Sequence, residues 1–394
     1  MGPVLALLVV FGLFVAVFGF SFFNGNDADS PSVYVGVNVA YGDENMVYTV
    51  ANATSGYSNL IIIGSTEVTS NTTKLTDVCN YLYQKGFYFI VYVGFSNFTG
   101  NYFPPSGPDS SFFQNANSRW GSKFLGVYLF DEVGGKQLDL PLSNPDKPVH
   151  RAGNYSDAAT QYILNVQPYL FLYRDVFYSS PQIKLYTSDY GLYWFDYFSG
   201  YDVVFSEIFG SSNDQIAVAL CRGAAETQGK EWGAILTFGP STLHNPVYDN
   251  VTQFYYDMIQ AYQNNAKYIV VFDAPGANHP ATTPYGVLTN DHLNAMKNFW
   301  KYINENPQPT KDPAQTAYVL PSDYGFGFRS PNDSIWGIWP ADDLSQKIWS
   351  DTKNLIASNG MNIDIVYLTK TDNIPIKRPY LTEIFWNASQ TKVP

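Results

Sequence analysis

Eight short apolar runs recur along the chain after residue 32, and most are followed by a stretch with apolar residues at helical spacing. Runs of this length between turn residues predict buried β-strands. The predicted strands cover residues 33–40, 60–64, 87–94, 124–130, 183–187, 202–206, 232–237 and 268–272. Because strands alternate with helices, the order predicts a parallel sheet with helical crossovers.

The helices between these strands are predicted at residues 73–84, 156–173, 214–227, 251–263 and 291–304, and the one before the second strand has the weakest pattern. Eight such units favour an α/β fold, a (β/α)8 TIM barrel over residues 33–306. A doubly wound open sheet is the alternative. Such a sheet usually has a phosphate-binding turn after its first strand, which Gly42-Asp43-Glu44 does not resemble.

The two cysteines test this barrel. Cys79 falls on the helix after strand 2 and Cys221 on the helix after strand 6, nearly opposite each other in an eight-fold ring. They cannot approach to the roughly 4.4–6.8 Å between Cα atoms that a disulfide needs. Both thiols are therefore expected to be free and buried.

A smaller unit follows a proline-rich linker that begins at Pro307. Residues 342–358 have a helical apolar face, and residues 363–367 alternate as a strand. One helix and one or two strands are too few for an independent core. Residues 307–394 are therefore expected to form a small α/β extension packed on the barrel.

The first residues predict membrane targeting. Residues 4–23 have no charged side chain, and about 20 helical residues at about 1.5 Å each span a hydrocarbon core of about 30 Å. Residues 1–23 are thus predicted to be a signal peptide or a membrane anchor, and 24–32 a linker. No Lys or Arg precedes the apolar run and no clear A-x-A site follows, which slightly favours the anchor.

Possible N-glycosylation sites support export. The N-x-[ST] pattern occurs at seven positions spread over the chain. They are Asn52, Asn71, Asn97, Asn154, Asn250, Asn332 and Asn387. The predicted location is extracellular or cell-surface, secreted or membrane-anchored.

Composition agrees with export and excludes several functions. The 394 residues carry a net charge of −12, so a basic surface for nucleic acid is absent. Only 14% of residues are charged, against roughly 25% in ordinary soluble domains. The four histidines lack metal-ligand spacing, and nucleotide-binding and serine-hydrolase motifs are missing. The sequence therefore predicts neither a metal nor a cofactor, and it leaves the oligomeric state open.

Carboxylates end several predicted strands. Active sites of this fold lie at the carboxyl ends of the strands. Asp131 and Glu132 follow strand 4, Asp189 strand 5, Glu207 strand 6 and Asp273 strand 8. Because side chains alternate along a strand, only one of Asp131 and Glu132 is expected to enter the mouth. Such a ring suits glycosidic bond cleavage, in which one carboxyl protonates the leaving oxygen and a second attacks or activates water.

Aromatic residues near these carboxylates favour a sugar substrate. Two long connections follow strands 3 and 4, and the first of them is rich in aromatic residues, as is the segment after strand 5. Trp120, Tyr190 and Trp194 are the candidates for stacking on sugar rings, and Asp131, Asp189 and Asp273 for orienting sugar hydroxyls. The alternative is that about half of the aromatic residues pack their own loops.

The run GVYLFDEV at residues 126–133 resembles the fourth-strand G-x-Y-x-x-D-E-P ending of several glycoside-hydrolase barrels, with valine in place of proline. The resemblance implies that Glu132 is the general acid/base. Barrels of that group have their nucleophile at the end of strand 7, where this chain has no carboxylate. Another group pairs strands 4 and 6, which favours Glu207 as the partner of either Asp131 or Glu132. The chain also resembles archaeal exported proteins of unassigned function that share a D-Y-G … W-G-x-W tail, here at residues 323–325 and 336–339.

Two functions remain open. The first is an exported glycoside hydrolase that acts on a polysaccharide or a glycoprotein glycan, with Glu132 as acid and Glu207 as nucleophile or base. The second is a non-catalytic glycan-binding or cell-envelope protein with a glycosidase-like barrel. Turnover of carbohydrate, against binding without turnover, distinguishes them.

Overall fold

The eight apolar runs form one closed barrel of parallel strands. The structure is a computed structural model that describes residues 31–94, 108, 110–178, 182–210, 213–237, 250–273, 283–309, 313–369, 380–387 and 391–392. The strands are β1 (Tyr34–Val39), β2 (Leu60–Ile63), β3 (Tyr88–Val93), β4 (Phe124–Leu129), β5 (Lys184–Asp189), β6 (Val203–Ile208), β7 (Glu231–Leu236) and β8 (Tyr268–Asp273). Each pairs with its sequence neighbour, and β8 pairs with β1, which confirms the (β/α)8 barrel.

Helices follow most of the strands. In the barrel they are α1 (Glu44–Thr54), α2 (Thr66–Thr69), α3 (Thr72–Gln84), α4 (Ser110–Trp120), α5 (Val133–Asp139), α6 (Tyr155–Val176), α7 (Tyr193–Ser199), α8 (Asp214–Gln228), α9 (Val251–Gln263) and α10 (Asn290–Glu305). Their apolar faces join the outer faces of the strands in one large core. The helix before β2, the weakest by pattern, is present as α1.

The barrel interior is packed with side chains, many of them aromatic. Tyr34 stacks on Tyr268 with ring centroids 4.9 Å apart, and the Tyr268 hydroxyl lies 3.2 Å from that of Tyr186. These residues share the interior with Leu60, Ile62, Ile90, Tyr128, Val203 and Phe205. The interior is thus a core, and only the carboxyl ends of the strands are open for a site.

The C-terminal extension contains more strands than the sequence pattern indicated. Its sheet has the order β10 (Ile363–Tyr367), β9 (Thr316–Leu320), β11 (Thr382–Phe385) and β12 (Thr391–Lys392), with α11 (Asp343–Asn359) in the connection from β9 to β10. Only β10 was predicted as a strand, because the pairing of β9 with β10 and β11 joins segments far apart in sequence. The first three strands run parallel and β12 antiparallel.

A buried ion pair fastens this sheet to the barrel. Arg222 on α8 lies 2.7 Å from Asp364 on β10, with side-chain exposures of 3% and 0%. The guanidinium also bonds to Asn264 and to the carbonyls of Met361 and Ile363. The described residues from Val33 onward belong to one compact unit.

The structure confirms the prediction for both thiols, which are free and buried. No helix in the described part of the chain is long and apolar enough to cross a membrane. The predicted targeting segment, residues 4–23, lies outside the described residues.

Six of the seven glycosylation candidates are described, and all six side chains are exposed. Three of them are helix N-caps: Asn71 precedes α3, Asn154 precedes α6 and Asn250 precedes α9. In each, the side-chain oxygen accepts a backbone N–H of the first turn. These motifs are therefore also helix-start signals. Asn97 lies outside the described residues.

Candidate active site

The end of β4 brings two adjacent carboxylates to the barrel mouth. Phe130 and Glu132 have φ angles of 54° and 55°, in the left-handed region. This conformation ends the alternation of the strand, so both Asp131 and Glu132 face the site, and the expectation that only one would enter was wrong. Non-glycine residues in this region cost about 1–3 kcal/mol each and cluster at functional sites.

Two hydroxyl groups connect the carboxylates of β4 and β6. The Tyr128 hydroxyl lies 2.6 Å from both Asp131 and Ser188, and the Ser188 hydroxyl lies 2.7 Å from Glu207. Each hydroxyl has one proton. Both carboxylates are satisfied when Tyr128 donates to Asp131 and Ser188 donates to Glu207. Sequence analysis missed Ser188 and Tyr128, although the first precedes Asp189 and the second lies in the strand-4 run.

Glu132 and Glu207 are neighbours that shift each other's pKa. Burial is the largest cause that raises the pKa of Glu132, to about 7, and the charge of Asp131 adds to it, while the hydrogen bond with Glu207 lowers it. Burial and the charges of Glu132 and Asp131 hold the pKa of Glu207 well above its usual range. Two carboxyls in contact cannot both ionise easily, so the pair shares a proton near neutral pH.

The surroundings of the two carboxyls favour the proton on Glu207. Glu207 is 4% exposed, whereas Glu132 is half-buried. The ammonium of Lys136 lies on the Glu132 side, donates to the Asp131 carbonyl and lowers the pKa of Glu132. The resting arrangement is therefore a neutral Glu207 and an ionised Glu132.

Asp189 is bound by the backbone instead of lying open to substrate. It is fully buried, and its carboxylate accepts the N–H groups of Gly134, Gly135, Tyr190 and Gly191. A Cβ at Gly135 would lie 2.1 Å from the Tyr190 ring, so this close approach requires glycine. The expectation that Asp189 orients sugar hydroxyls is therefore corrected: it anchors the start of α5.

Tyr190 lies at the rim of the site, half-buried. Its hydroxyl donates to Asp139 at 2.7 Å, and the guanidinium of Arg329, from the extension, lies over its ring at 5.7 Å. Burial is the largest cause that raises the pKa of Tyr190, and the hydrogen bond to Asp139 and the negative charge of Glu132 add to it. Tyr92 on β3 is a further aromatic residue near these carboxyls, since its ring centroid lies 5.5 Å from that of Tyr128, whose hydroxyl bonds to Asp131.

Asp273 ends β8 and is fully buried. Its carboxylate accepts the N–H of Val287 at 2.7 Å, and burial raises its pKa to about 7. Gly286 approaches so closely that a Cβ there would lie 2.3 Å from the carboxylate. Asp273 thus holds the segment before α10.

The two tryptophans expected to stack on sugar lie in the core. Trp120 is 1% exposed at the end of α4, beside the amino end of β4, where its indole N–H donates to Asn80. Trp194 is 5% exposed and packs on Phe198 and Tyr367, between the barrel and the extension. Neither lies at the mouth, so these two expectations are corrected.

No group of three or more His, Cys, Asp or Glu side chains in the described part of the chain is arranged to hold a metal ion.

Comparison with known proteins gives likeness in fold. No protein-family model and no curated protein matches the chain. Similar solved structures include a GH5_18 glycoside hydrolase from Streptomyces cattleya in complex with Manβ1-4GlcNAc (14% identity, TM-score 0.56, covering 92% of this chain and 100% of that one). The β-galactosidase of Bacillus circulans (10%, 0.58, 90% and 67%) and that of the haloarchaeon Halorubrum lacusprofundi (11%, 0.54, 90% and 69%) are also similar. The chain therefore has the (β/α)8 barrel fold found in these glycoside hydrolases.

Proposed function

We propose that the protein is an exported glycoside hydrolase that acts on a polysaccharide or a glycoprotein glycan. The observation that carries this proposal is the group of three carboxyls at the mouth of a glycosidase-type barrel: Asp131 and Glu207, joined by the Tyr128 and Ser188 hydroxyls, and Glu132, which interacts with Glu207. A general acid and a second carboxylate are the groups that glycosidic cleavage requires. The third carboxylate, Asp131, keeps a proton on the pair by its charge.

In the proposed reaction Glu207 is the acid. Its proton passes to the glycosidic oxygen, the bond from that oxygen to the anomeric carbon breaks, and the electron pair stays on the leaving oxygen. The Glu132 carboxylate then either bonds to the anomeric carbon or removes a proton from an attacking water. This order exchanges the two roles expected from sequence, because burial favours the proton on Glu207 and Lys136 favours the anion on Glu132.

The test is release of reducing ends from a panel of polysaccharides and glycoproteins. The panel includes β-galactosides and Manβ1-4GlcNAc-containing glycans, the sugars named for the similar structures. Wild type is compared with Glu132→Gln, Glu207→Gln and the exposed control Glu305→Gln. Turnover by wild type and control that collapses in both site variants supports the proposal. Carbohydrate binding without turnover would instead support the glycan-binding role.

Export is part of the proposal and has its own test. Residues 4–23 would target the chain to the membrane, and the six exposed glycosylation candidates suit an extracellular surface. Fractionation of the natural host followed by intact-mass measurement should give a chain outside the cytoplasm with added glycan mass. A cytoplasmic chain of unmodified mass would contradict export and leave the catalytic proposal standing.

A further inference from the structure

A second pair of carboxyl groups lies behind the mouth. Asp189 ends β5 and Asp196 lies in α7, and both side chains are fully buried. The Asp196 carboxyl interacts directly with that of Asp189. Within the described residues neither group forms a salt bridge with Lys, Arg or His.

The hydrogen-bond partners of Asp189 and Asp196 indicate which of the two carboxyl groups carries a proton. Both oxygens of Asp189 accept backbone N–H groups, four in all. One oxygen of Asp196 accepts the Tyr162 hydroxyl at 2.6 Å, while the other is buried and no donor reaches it. Two carboxylates in contact would repel, whereas a proton on that second oxygen makes it a donor to Asp189.

We propose that Asp196 is a neutral carboxylic acid that donates a hydrogen bond to the Asp189 carboxylate, and that this pair positions Glu132. The second half of the proposal rests on the proposed glycosidase function; the first half does not. Both aspartates are positioning residues, since neither reaches the mouth.

The connection to Glu132 runs through the backbone. Asp189 holds the N–H groups of Gly134 and Gly135, in the first turn of α5. Glu132 lies two residues before Gly134, in the left-handed conformation, and its own N–H donates to the Ser188 carbonyl at 3.0 Å. Hydrogen bonds to Ser188 and Asp189 on β5 thus hold the backbone at Glu132 and just after it. A displacement of about 1 Å in such a group can cost about 100-fold in rate.

The charged and titratable groups around the pair favour a neutral Asp196. Burial is the largest cause that holds its pKa well above the usual range, and the charge of Asp189 adds to it. For Asp189, burial raises the pKa while its four backbone donors lower it. The other titratable groups that interact with the pair are Glu132, Tyr162, Tyr190, Tyr193, Tyr197, Tyr201, Glu207 and Cys221.

Amide substitutions in the full chain test the proton assignment without substrate. An amide at position 196 can still donate to Asp189 and accept from Tyr162, so Asp196→Asn should melt close to wild type. Asp189→Asn points an NH2 group at backbone donors and should melt several degrees lower. Asp196→Leu, which removes the donor, should also melt lower. The reverse ranking, or equal losses in both amide variants, would overturn the assignment.

The pH dependence has a defined sign. A carboxyl whose pKa rises on folding binds more protons in the folded state, so its contribution to stability falls as pH rises. The melting temperature of Asp196→Asn relative to wild type should therefore increase from pH 5 to pH 8. Infrared spectra at pH 7 should show protonated-carboxyl absorption from both Asp196 and Glu207 in wild type, and Asp196→Asn should lose the Asp196 part of this band. An unchanged band would contradict the neutral acid, whether or not Asp189→Asn folds.

The positioning half is tested by kinetics on the substrate found in the panel. Asp196→Asn should keep kcat/KM within about threefold, whereas folded Asp196→Leu should lose about 100-fold, mainly in kcat. The acid limit of the pH profile of kcat/KM should also move in Asp196→Leu, because a displaced Glu132 has different neighbours and therefore a different pKa. An unchanged kcat and pH limit in Asp196→Leu would refute positioning. If wild type cleaves nothing, the proposed function fails, while the melting and infrared results still decide the proton assignment.

Discussion

At the barrel mouth, three carboxyl groups lie so close together that their ionised forms repel one another. Asp131, Glu132 and Glu207 lie together in a poorly solvated site, so ionising one raises the pKa of the next. Hydrogen bonds from Tyr128 and Ser188 offset part of the free-energy cost of ionising these carboxyl groups. The result is a pair that carries one acid and one base near neutral pH, which is the combination glycosidic cleavage uses.

The first prediction concerns the pH profile of kcat/KM. Glu132 must be ionised and Glu207 protonated, so activity should rise with pH near 7, the raised pKa of Glu132, and fall at a higher pH as Glu207 ionises. In Asp131→Asn the loss of one negative charge lowers both pKa values, and the whole profile should shift to lower pH. The exposed variant Asp343→Asn is the control. An unshifted profile in Asp131→Asn would contradict this electrostatic account.

The second prediction concerns Ser188. Ser188→Ala removes the hydroxyl that donates to Glu207 and leaves buried acceptors unsatisfied, which costs about 1–3 kcal/mol of folding free energy. Since this hydrogen bond lowers the pKa of Glu207, its loss should move the alkaline limit of kcat/KM to higher pH. Urea unfolding and the pH profile check the two effects. Ser188→Thr, which keeps a hydroxyl, should keep the wild-type limit; a shift as large as in Ser188→Ala would count against the hydrogen bond as its cause.

At the scale of elements, the ends of the strands could be predicted better than the turns that follow them. The Asp131-Glu132 pair was visible at the end of β4 because the apolar run stops there. The left-handed turn that presents both carboxylates was not, because it depends on β5, where Ser188 and Asp189 hold the backbone. Alternation is a property of the strand and ends with it.

The third prediction concerns the contact between α8 and β10. Arg222→Met leaves the buried charge of Asp364 without its partner, which should cost about 3–5 kcal/mol of unfolding free energy. The exposed pair Lys301–Glu305, 3.8 Å apart, provides the matched control. Lys301→Met should change stability by no more than about 1 kcal/mol. Equal effects in urea unfolding would show that Arg222 does not fasten the extension.

The fourth prediction separates capping from glycosylation at Asn154. Asn154→Ala removes the N-cap of α6 and should cost about 1 kcal/mol in unglycosylated protein. Asn154→Asp also removes the glycosylation site but keeps an acceptor, so it should retain the wild-type stability. If Asn154→Asp is as destabilising as Asn154→Ala, the cap does not explain the motif.

At the scale of the whole molecule, the barrel could be predicted because its eight strands follow one another in sequence and in space. The extension could not be predicted to the same depth, since its sheet joins strands separated by long stretches of chain. The aromatic residues predicted the binding site least well. Trp120 and Trp194 lie on the helices α4 and α7, and the sequence does not show whether a helix turns such a side chain towards the mouth or into the core.

The extension also completes the surroundings of the mouth. Arg329 lies over Tyr190 and pairs with Asp139 on α5, whose first turn follows Glu132. The buried Lys147 joins the carbonyls of Gln137 and Gly337 at 2.6 and 3.0 Å. Barrel and extension are therefore expected to unfold together.

The most direct test of the carboxylate pair is the dependence of kcat/KM on leaving-group acidity, in aryl glycosides of the sugar identified by the panel. A good leaving group needs no proton. Glu207→Gln should therefore be nearly as active as wild type on the most acidic phenol and much slower on the least acidic, while Glu132→Gln should be slow on all. Activity of both variants close to wild type across the series would contradict the account.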